Sequence, residues 1–238
     1  MADSYLFMPS EWLHTTLEPN AKVGAILKVD SGSTPKTEID EYWDGDIPWL
    51  TPKEITRNKE IFVSSTERTI TELGLSSCGT KILPSSTVMM SKRAPVGAIS
   101  VNTTPMCTNQ GFLNFQCGPK LRPLYLAHWL RINKPYLDAV ANGSTYQELY
   151  KSDLFEFQIA IPPTEEQDEI LKVVSALEFS LHSHNSLIFK TLELDSLIDL
   201  EKEEKELKSA IDQVKFLLFS GKVKVSELSR GKINSEFM

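Results

Sequence analysis

The feature that most constrains this 238-residue chain is a span of about 55 residues, Thr164 to Phe219, without a single proline or glycine. Pro162 and Pro163 stop what precedes it, because proline lacks an N–H and biases the residue before it away from helix. Thr164 followed three residues later by Gln167 has the spacing of a capping box, so a helix is expected to start there. At 1.5 Å per residue a continuous helix would be roughly 80 Å long. No small domain covers such an arm along its whole extent, so another helix must lie beside it. Ile170, Val173, Leu177 and Leu181 give a first apolar stripe, Leu187, Leu194 and Ile198 a second, and Leu207, Ile211, Val214 and Leu218 a third, each near the three-and-four spacing of a coiled coil. His184 and Thr191 interrupt that seam, and Glu201 to Glu206 is wholly charged. Two readings stay open: a bend or polar layer in one long helix, or a solvated break between two shorter ones. Gly221 closes the arm, and the tail after Leu228 is polar.

Before Pro163 the chain alternates short apolar runs with Gly, Pro and Asn, the pattern of short strands and turns. Expected strands are Lys22 to Val29, Thr87 to Ser91, Gly97 to Val101, Gly111 to Gln116 and Phe155 to Ala160. Pro123 to Arg131 reads as a helix, with Leu124, Ala127 and Leu130 on one face. The expected class is therefore α+β: a mixed globular domain over residues 1–163, a long helix over 164–220 that pairs as an antiparallel coiled coil, and a tail over 221–238.

The formal net charge of −7 argues at first against a nucleic-acid partner, but its distribution does not. Residues 1–163 hold 15 Lys and Arg against 17 Asp and Glu, and residues 164–238 hold 10 against 15. From Leu73 to Leu137 there is no acidic residue at all, while Lys81, Lys92, Arg93, Lys120, Arg122, Arg131 and Lys134 are present. Local positive potential attracts phosphates even where the total is acidic; a solvated surface explains such a run equally.

Cys78, Cys107 and Cys117 form no CxxC and have no paired histidines at zinc spacing, which argues against a metal site. They read as buried or half-buried thiols in a reduced cytoplasm. Polar and acidic residues follow Met1, and no window holds eighteen apolar residues, so neither a signal peptide nor a membrane span is expected.

The most informative block is Gly32-Ser-Thr-Pro-Lys36 followed by Tyr42-Trp-Asp-Gly-Asp-Ile-Pro-Trp-Leu-Thr-Pro52. Gly32 with Pro35, and Asp44 with Gly45, shape two turns, while Trp43 and Trp49 offer large apolar surfaces with one indole donor each and pack the core around these loops. Lys53 follows at a loop or helix start, where an ammonium can reach a phosphate. A second block runs Lys92-Arg93-Ala-Pro-Val-Gly97 and then Thr108-Asn-Gln-Gly-Phe112. Arginine suits bidentate bonding to guanine or phosphate, and Asn109 with Gln110 either reads adenine or ties down a tight turn through backbone hydrogen bonds.

No chemistry-bearing motif is legible. Asn133-Lys-Pro-Tyr136 is a poor imitation of an adenine methyltransferase motif, and neither a glycine-rich cofactor loop nor GxxxxGK occurs. Glu203-Glu-Lys205 and Glu206-Leu-Lys208 have nuclease-like spacing but lie in a charged helical stretch. Asp40, Glu41, Asp44 and Asp46 suit turns and caps better than a divalent ion. No catalytic residue, metal ligand or cofactor is assigned.

The blocks GSTPKTEIDEYWDGDIPWLTPKEI, SKRAPVGAISV, CTNQGF, NGSTYQELYKSDLFEFQIAIPPTEEQ and LLFSGKV together resemble the target-recognition domain and following conserved helix of type I restriction-modification specificity subunits. The resemblance covers most of the chain in the family's order and spacing. It implies a non-catalytic subunit that reads one half-site of double-stranded DNA and docks methyltransferase subunits and a restriction and translocase subunit. A complete subunit of that family has two recognition domains and two long helices. With one domain, this chain reads as a natural half-subunit, a truncated product or a fragment, and a half-subunit could pair its helix antiparallel with a second copy. The expected DNA contacts are Lys92 and Arg93, then Lys36, Lys53 and Lys120. The competing readings are a coiled-coil assembly module and a small nuclease or methyltransferase.

Overall fold

Runs such as Val88-Met-Met-Ser91 and Phe112-Leu-Asn-Phe-Gln-Cys117 bury side chains on both faces, which suits central strands of a covered sheet. The computed structural model describes residues 9–58, 60–93, 95–141, 148–188 and 197–225. They divide between two compact units, one over His14–Ile159 and the other over Met1–Leu13 with Ala160–Met238. The border lies inside a strand a few residues before Pro163, and residues 9–13 belong with the helices and not with the sheet domain.

In chain order the elements are β1 (Leu13–Thr16), β2 (Ile26–Asp30), β3 (Trp43–Leu50), α1 (Pro52–Asn58), β4 (Phe62–Val63), β5 (Arg68–Ile70), α2 (Glu72–Ser76), β6 (Val88–Ser91), β7 (Ile99–Asn102), β8 (Cys107–Thr108), β9 (Phe112–Cys117), α3 (Pro123–Ile132), α4 (Lys134–Ala141), β10 (Gln158–Ile161), α5 (Thr164–Ile188) and α6 (Leu197–Phe219). In the unit over His14–Ile159 a five-stranded sheet runs β2-β9-β6-β7-β4, antiparallel except for the β7/β4 pair. A three-stranded sheet runs β5-β3-β8, with β3 antiparallel to β5 and parallel to β8. Leu50, Ile55, Leu83, Met89, Met106 and Phe112 form one buried cluster, and Trp43, Ile47, Trp49, Ile70 and Cys107 another.

Several expectations shift. Lys22 is not strand: Asn20 turns the chain there, its side-chain oxygen accepting the N–H of Lys22 and Val23, and Gly24 takes φ +74°. The start of the last expected strand, Phe155, lies in a 3-10 turn over Lys151–Glu156. The Asp44-Gly45 turn is instead a bulge within β3: Trp43 and Ile47 both face Ile70, and Asp44 adopts φ 59°. A Cβ on Gly45 would lie 2.6 Å from Thr71 Cα, so the bulge needs glycine where it crosses β5.

Of the two readings open for the arm, the helical unit takes the one with two shorter helices. Glu178 of α5 and Lys215 of α6 form an ion pair at 2.7 Å, whereas 37 residues of one straight helix would separate them by roughly 55 Å. The long arm is thus two helices packed antiparallel within one chain. Each buries the other's stripe, a partner that a single extended helix lacks. Ile170, Val174, Ile211 and Leu218 are buried there, with Leu207 and Val214 half-buried. The charged run falls inside α6 and marks no break; the seam side chains of His184, Leu187, Thr191, Leu194 and Ile198 lie outside the described residues, as does the tail beyond residue 225. The capping box is also replaced: the Gln167 amide donates to the Pro162 carbonyl at 2.8 Å, and the Thr164 hydroxyl turns to Glu165. Gly221 ends α6 with φ +67°, packed against Pro9 and Trp12.

Candidate nucleic-acid interface

Four sequence-distant segments meet on the Thr108–Gly111 loop between β8 and β9. The Thr108 carbonyl accepts the Ser33 N–H at 3.1 Å and the Thr80 hydroxyl at 2.9 Å. Gly32 sits so close that a Cβ would fall on the Thr108 carbonyl, which explains glycine at this crossing. The Thr34 hydroxyl donates to Gln110 Oε1 at 2.5 Å. Asn109 donates its N–H to the Leu50 carbonyl, Pro52 flanks Gly111, and the Gly111 carbonyl accepts the Lys92 N–H at 2.9 Å. Asn109 Oδ1 accepts the Gly111 N–H at 2.8 Å, so Asn109 ties down the turn.

This loop therefore gathers the segments that carry Lys36, Lys53, Lys92 and Arg93. Lys36, Lys53 and Arg93 are exposed. Lys92 is half-buried, its ammonium 3.2 Å from Glu148. Lys120 is exposed at the other end of β9, where its N–H reaches the Gly24 carbonyl; six strand residues put the two ends about 20 Å apart. The acid-free stretch is not one patch. Lys134 pairs with Asp138 at 2.7 Å, and Arg131 donates to the Ile99 carbonyl at 2.9 Å.

The start of α1 is built by Thr51 and Glu54. Glu54 is buried, and its carboxylate accepts the Thr51 N–H at 2.8 Å, the Thr51 hydroxyl at 2.7 Å and the Glu67 N–H at 2.7 Å. Thr51-Pro-Lys-Glu54 has the spacing of a capping box, a local signal for this helix start. Lys53 projects from this fixed first turn.

Arg68 stands in no recognisable sequence motif. Its guanidinium lies 3.5 Å from the Trp43 ring centroid and 5.9 Å from that of Trp49, its cross-strand partner. The two buried indoles meet edge to face with centroids 5.1 Å apart. Trp49 donates its indole N–H to the Ser33 carbonyl at 3.0 Å and Trp43 to the Lys36 carbonyl at 3.2 Å. Both tryptophans thus belong to the core, as expected, and hold the two ends of the Ser33–Lys36 loop.

Beneath the loops, Cys107 is buried, and that burial pushes its thiol up to about 11; Cys117 is pushed up to about 12 for the same reason. Among the described residues no three His, Cys, Asp or Glu side chains are placed to hold a metal, and no helix is long and apolar enough to cross a membrane.

The chain is similar to the specificity subunit of type I restriction enzyme MjaIX from Methanocaldococcus jannaschii, 40% identical over 156 residues, covering 65% of this chain and 36% of that protein. It is similar also to the EcoR124I/EcoR124II specificity subunit of Escherichia coli, 26% identical over 182 residues, covering 72% of this chain and 44% of that one. The HsdS subunit structure from Thermoanaerobacter tengcongensis shares the fold, with TM-score 0.55 and 18% identity over 91% of this chain and 46% of that chain. The chain thus spans less than half the length of the relatives it matches. Residues 19–194, which include all four convergent segments, match the model of the type I restriction modification DNA specificity domain. By that match the chain belongs to the type I restriction modification DNA specificity domain family.

Proposed function

We propose that this chain is the DNA-reading part of a type I restriction-modification enzyme, binding one half-site of double-stranded DNA and doing no chemistry itself. The observation that supports the reading is that the segments bearing Lys36, Lys53, Lys92 and Arg93 meet on the Thr108–Gly111 loop. Cations set on rigid loops around one turn suit phosphate positioning, while neighbouring polar side chains reach base edges in the major groove. Lys120, at the far end of β9, suits a more distant phosphate. Methylation and restriction would come from separate methyltransferase and translocase subunits in the cytoplasm, docked on the helical pair and the domain surface. A second copy, or a second recognition domain, would read the other half-site. With two identical halves the target is an interrupted palindrome.

Selection of randomised duplexes by the full chain tests this. A single recurrent motif is expected. Recovery of no motif, with or without the modification subunits, would count against DNA reading.

A further inference from the structure

Arg68 is held differently from Arg57 and Arg131 of this unit. Arg57 is paired with Glu67, and Arg131 is anchored on the Ile99 carbonyl. The Arg68 carbonyl accepts the Thr66 hydroxyl at 2.7 Å, while its guanidinium makes neither an ion pair nor a hydrogen bond among the described residues. It is exposed, yet its guanidinium carbon lies over the Trp43 ring, 3.5 Å from the centroid. Contact with the ring restrains the side chain while its N–H groups have no partner among the described residues, so part of the entropy of placing them is lost on folding and not on binding. The same two indoles pin the Ser33–Lys36 loop at both ends, so the arginine and the Lys36 loop share one rigid support.

We propose that Arg68 is a DNA-contacting residue whose guanidinium, oriented by Trp43 and Trp49, reaches a pair of acceptor atoms on a guanine edge or a phosphate. Trp43 and Trp49 are its positioning residues. The proposal rests on the DNA-reading function above and adds to it a specific contact that charge patterning does not reveal. A guanidinium fits the O6 and N7 of guanine, or two oxygens of one phosphate, with parallel N–H bonds that an ammonium cannot form.

The test uses the full chain, the motif that the wild type selects from randomised duplexes, and single-base variants of that motif. Arg68→Ala is expected to lower affinity for the motif about tenfold or more with an unchanged thermal midpoint. Arg68→Lys keeps the charge and does not restore the loss. Trp43→Phe keeps a ring under Arg68 but removes the donor to the Lys36 carbonyl, and gives an intermediate loss. If the contact is a guanine, Arg68→Ala relaxes discrimination at one base pair. If it is a phosphate, the loss is uniform across sequences and the salt slope falls by about one. Unchanged affinity, discrimination and salt slope in both folded Arg68 variants would overturn the proposal. A wild type that selects no motif would instead bring down the DNA-reading function on which it rests.

Discussion

The Lys92 ammonium lies 3.2 Å from the Glu148 carboxylate, the side chains 17% and 20% exposed, and the Leu149 N–H donates to the Lys92 carbonyl at 2.7 Å. A phosphate that engages Lys92 must compete with this carboxylate. Glu148→Gln should therefore raise DNA affinity by a few-fold and steepen the dependence of log K on log salt by up to about one. Anisotropy titrations over a salt series read both quantities. Conversely, Lys92→Glu with Arg93→Glu should abolish specific binding in a folded protein. Titrations indistinguishable from wild type in both variants would remove these residues from the interface.

Gly32→Ala should lower both the thermal midpoint and specific DNA binding, because its methyl group is forced onto the Thr108 carbonyl and parts the two loops. Gly79→Ala is the matched control. Its Cβ meets only Ser33 Cβ at 3.9 Å, so stability should stay within about 0.5 kcal/mol of wild type. Thermal melts alongside binding assays distinguish the pair.

Glu54→Ala removes an acceptor from two backbone N–H groups and a hydroxyl. Urea unfolding should show a loss of about 2–4 kcal/mol. Glu54→Gln should lose less, since its oxygen still accepts one set while its NH2 opposes the other. Equal stability of all three proteins would mean that Glu54 does not hold the start of α1.

The raised thiols of buried Cys107 and half-buried Cys117 make stability fall at high pH. Their ordinary value is 9.0, and in the folded chain they stand at about 11 for Cys107 and about 12 for Cys117. The unfolded chain therefore loses these protons first. The contribution is whole below pH 9 and declines as pH rises through the folded values. Urea midpoints from pH 8 to 11 should decline less steeply in Cys107→Ala with Cys117→Ala than in wild type. Alkylation of the native protein at pH 8 should also modify half-buried Cys78 ahead of Cys107 and Cys117, whose raised values leave less thiolate.

The sequence discloses some elements and hides others for physical reasons. β6, β7, β9 and α3 follow from dense apolar runs and helical spacing, and Trp43 and Trp49 from their bulk. β3 does not, because Asp44-Gly45 has turn chemistry and only the β5 partner reveals a bulge. The apolar stripes of α5 and α6 are visible, but their spacing is satisfied equally by one long helix and by two that fold back. Lys36, Lys53, Lys92 and Arg93 stand in recognisable blocks. What unites them, the carbonyls of Thr108 and Gly111 and the hydroxyl of Thr34, bridges segments up to 76 residues apart and leaves no local spacing to read. Arg68 sits in a three-residue strand without any periodic signal.

Truncating the seam of the helical pair should cost about 2–5 kcal/mol for Leu218→Ala, since Leu218 is buried. Reversing Lys215 to Glu should destabilise, and adding Glu178→Lys should recover part of the loss. A double-mutant cycle in urea measures the coupling. A coupling of zero would argue against the ion pair between α5 and α6.

The central claim is that this chain supplies sequence recognition to a methyltransferase that lacks it. Genome-wide adenine methylation mapping in cells expressing the partner methyltransferase, with and without this chain, tests that claim most directly. The account predicts methylation at one recurrent motif only when the chain is present, with Lys92→Glu and Arg93→Glu together abolishing it. The same methylated motif with and without the chain would contradict it.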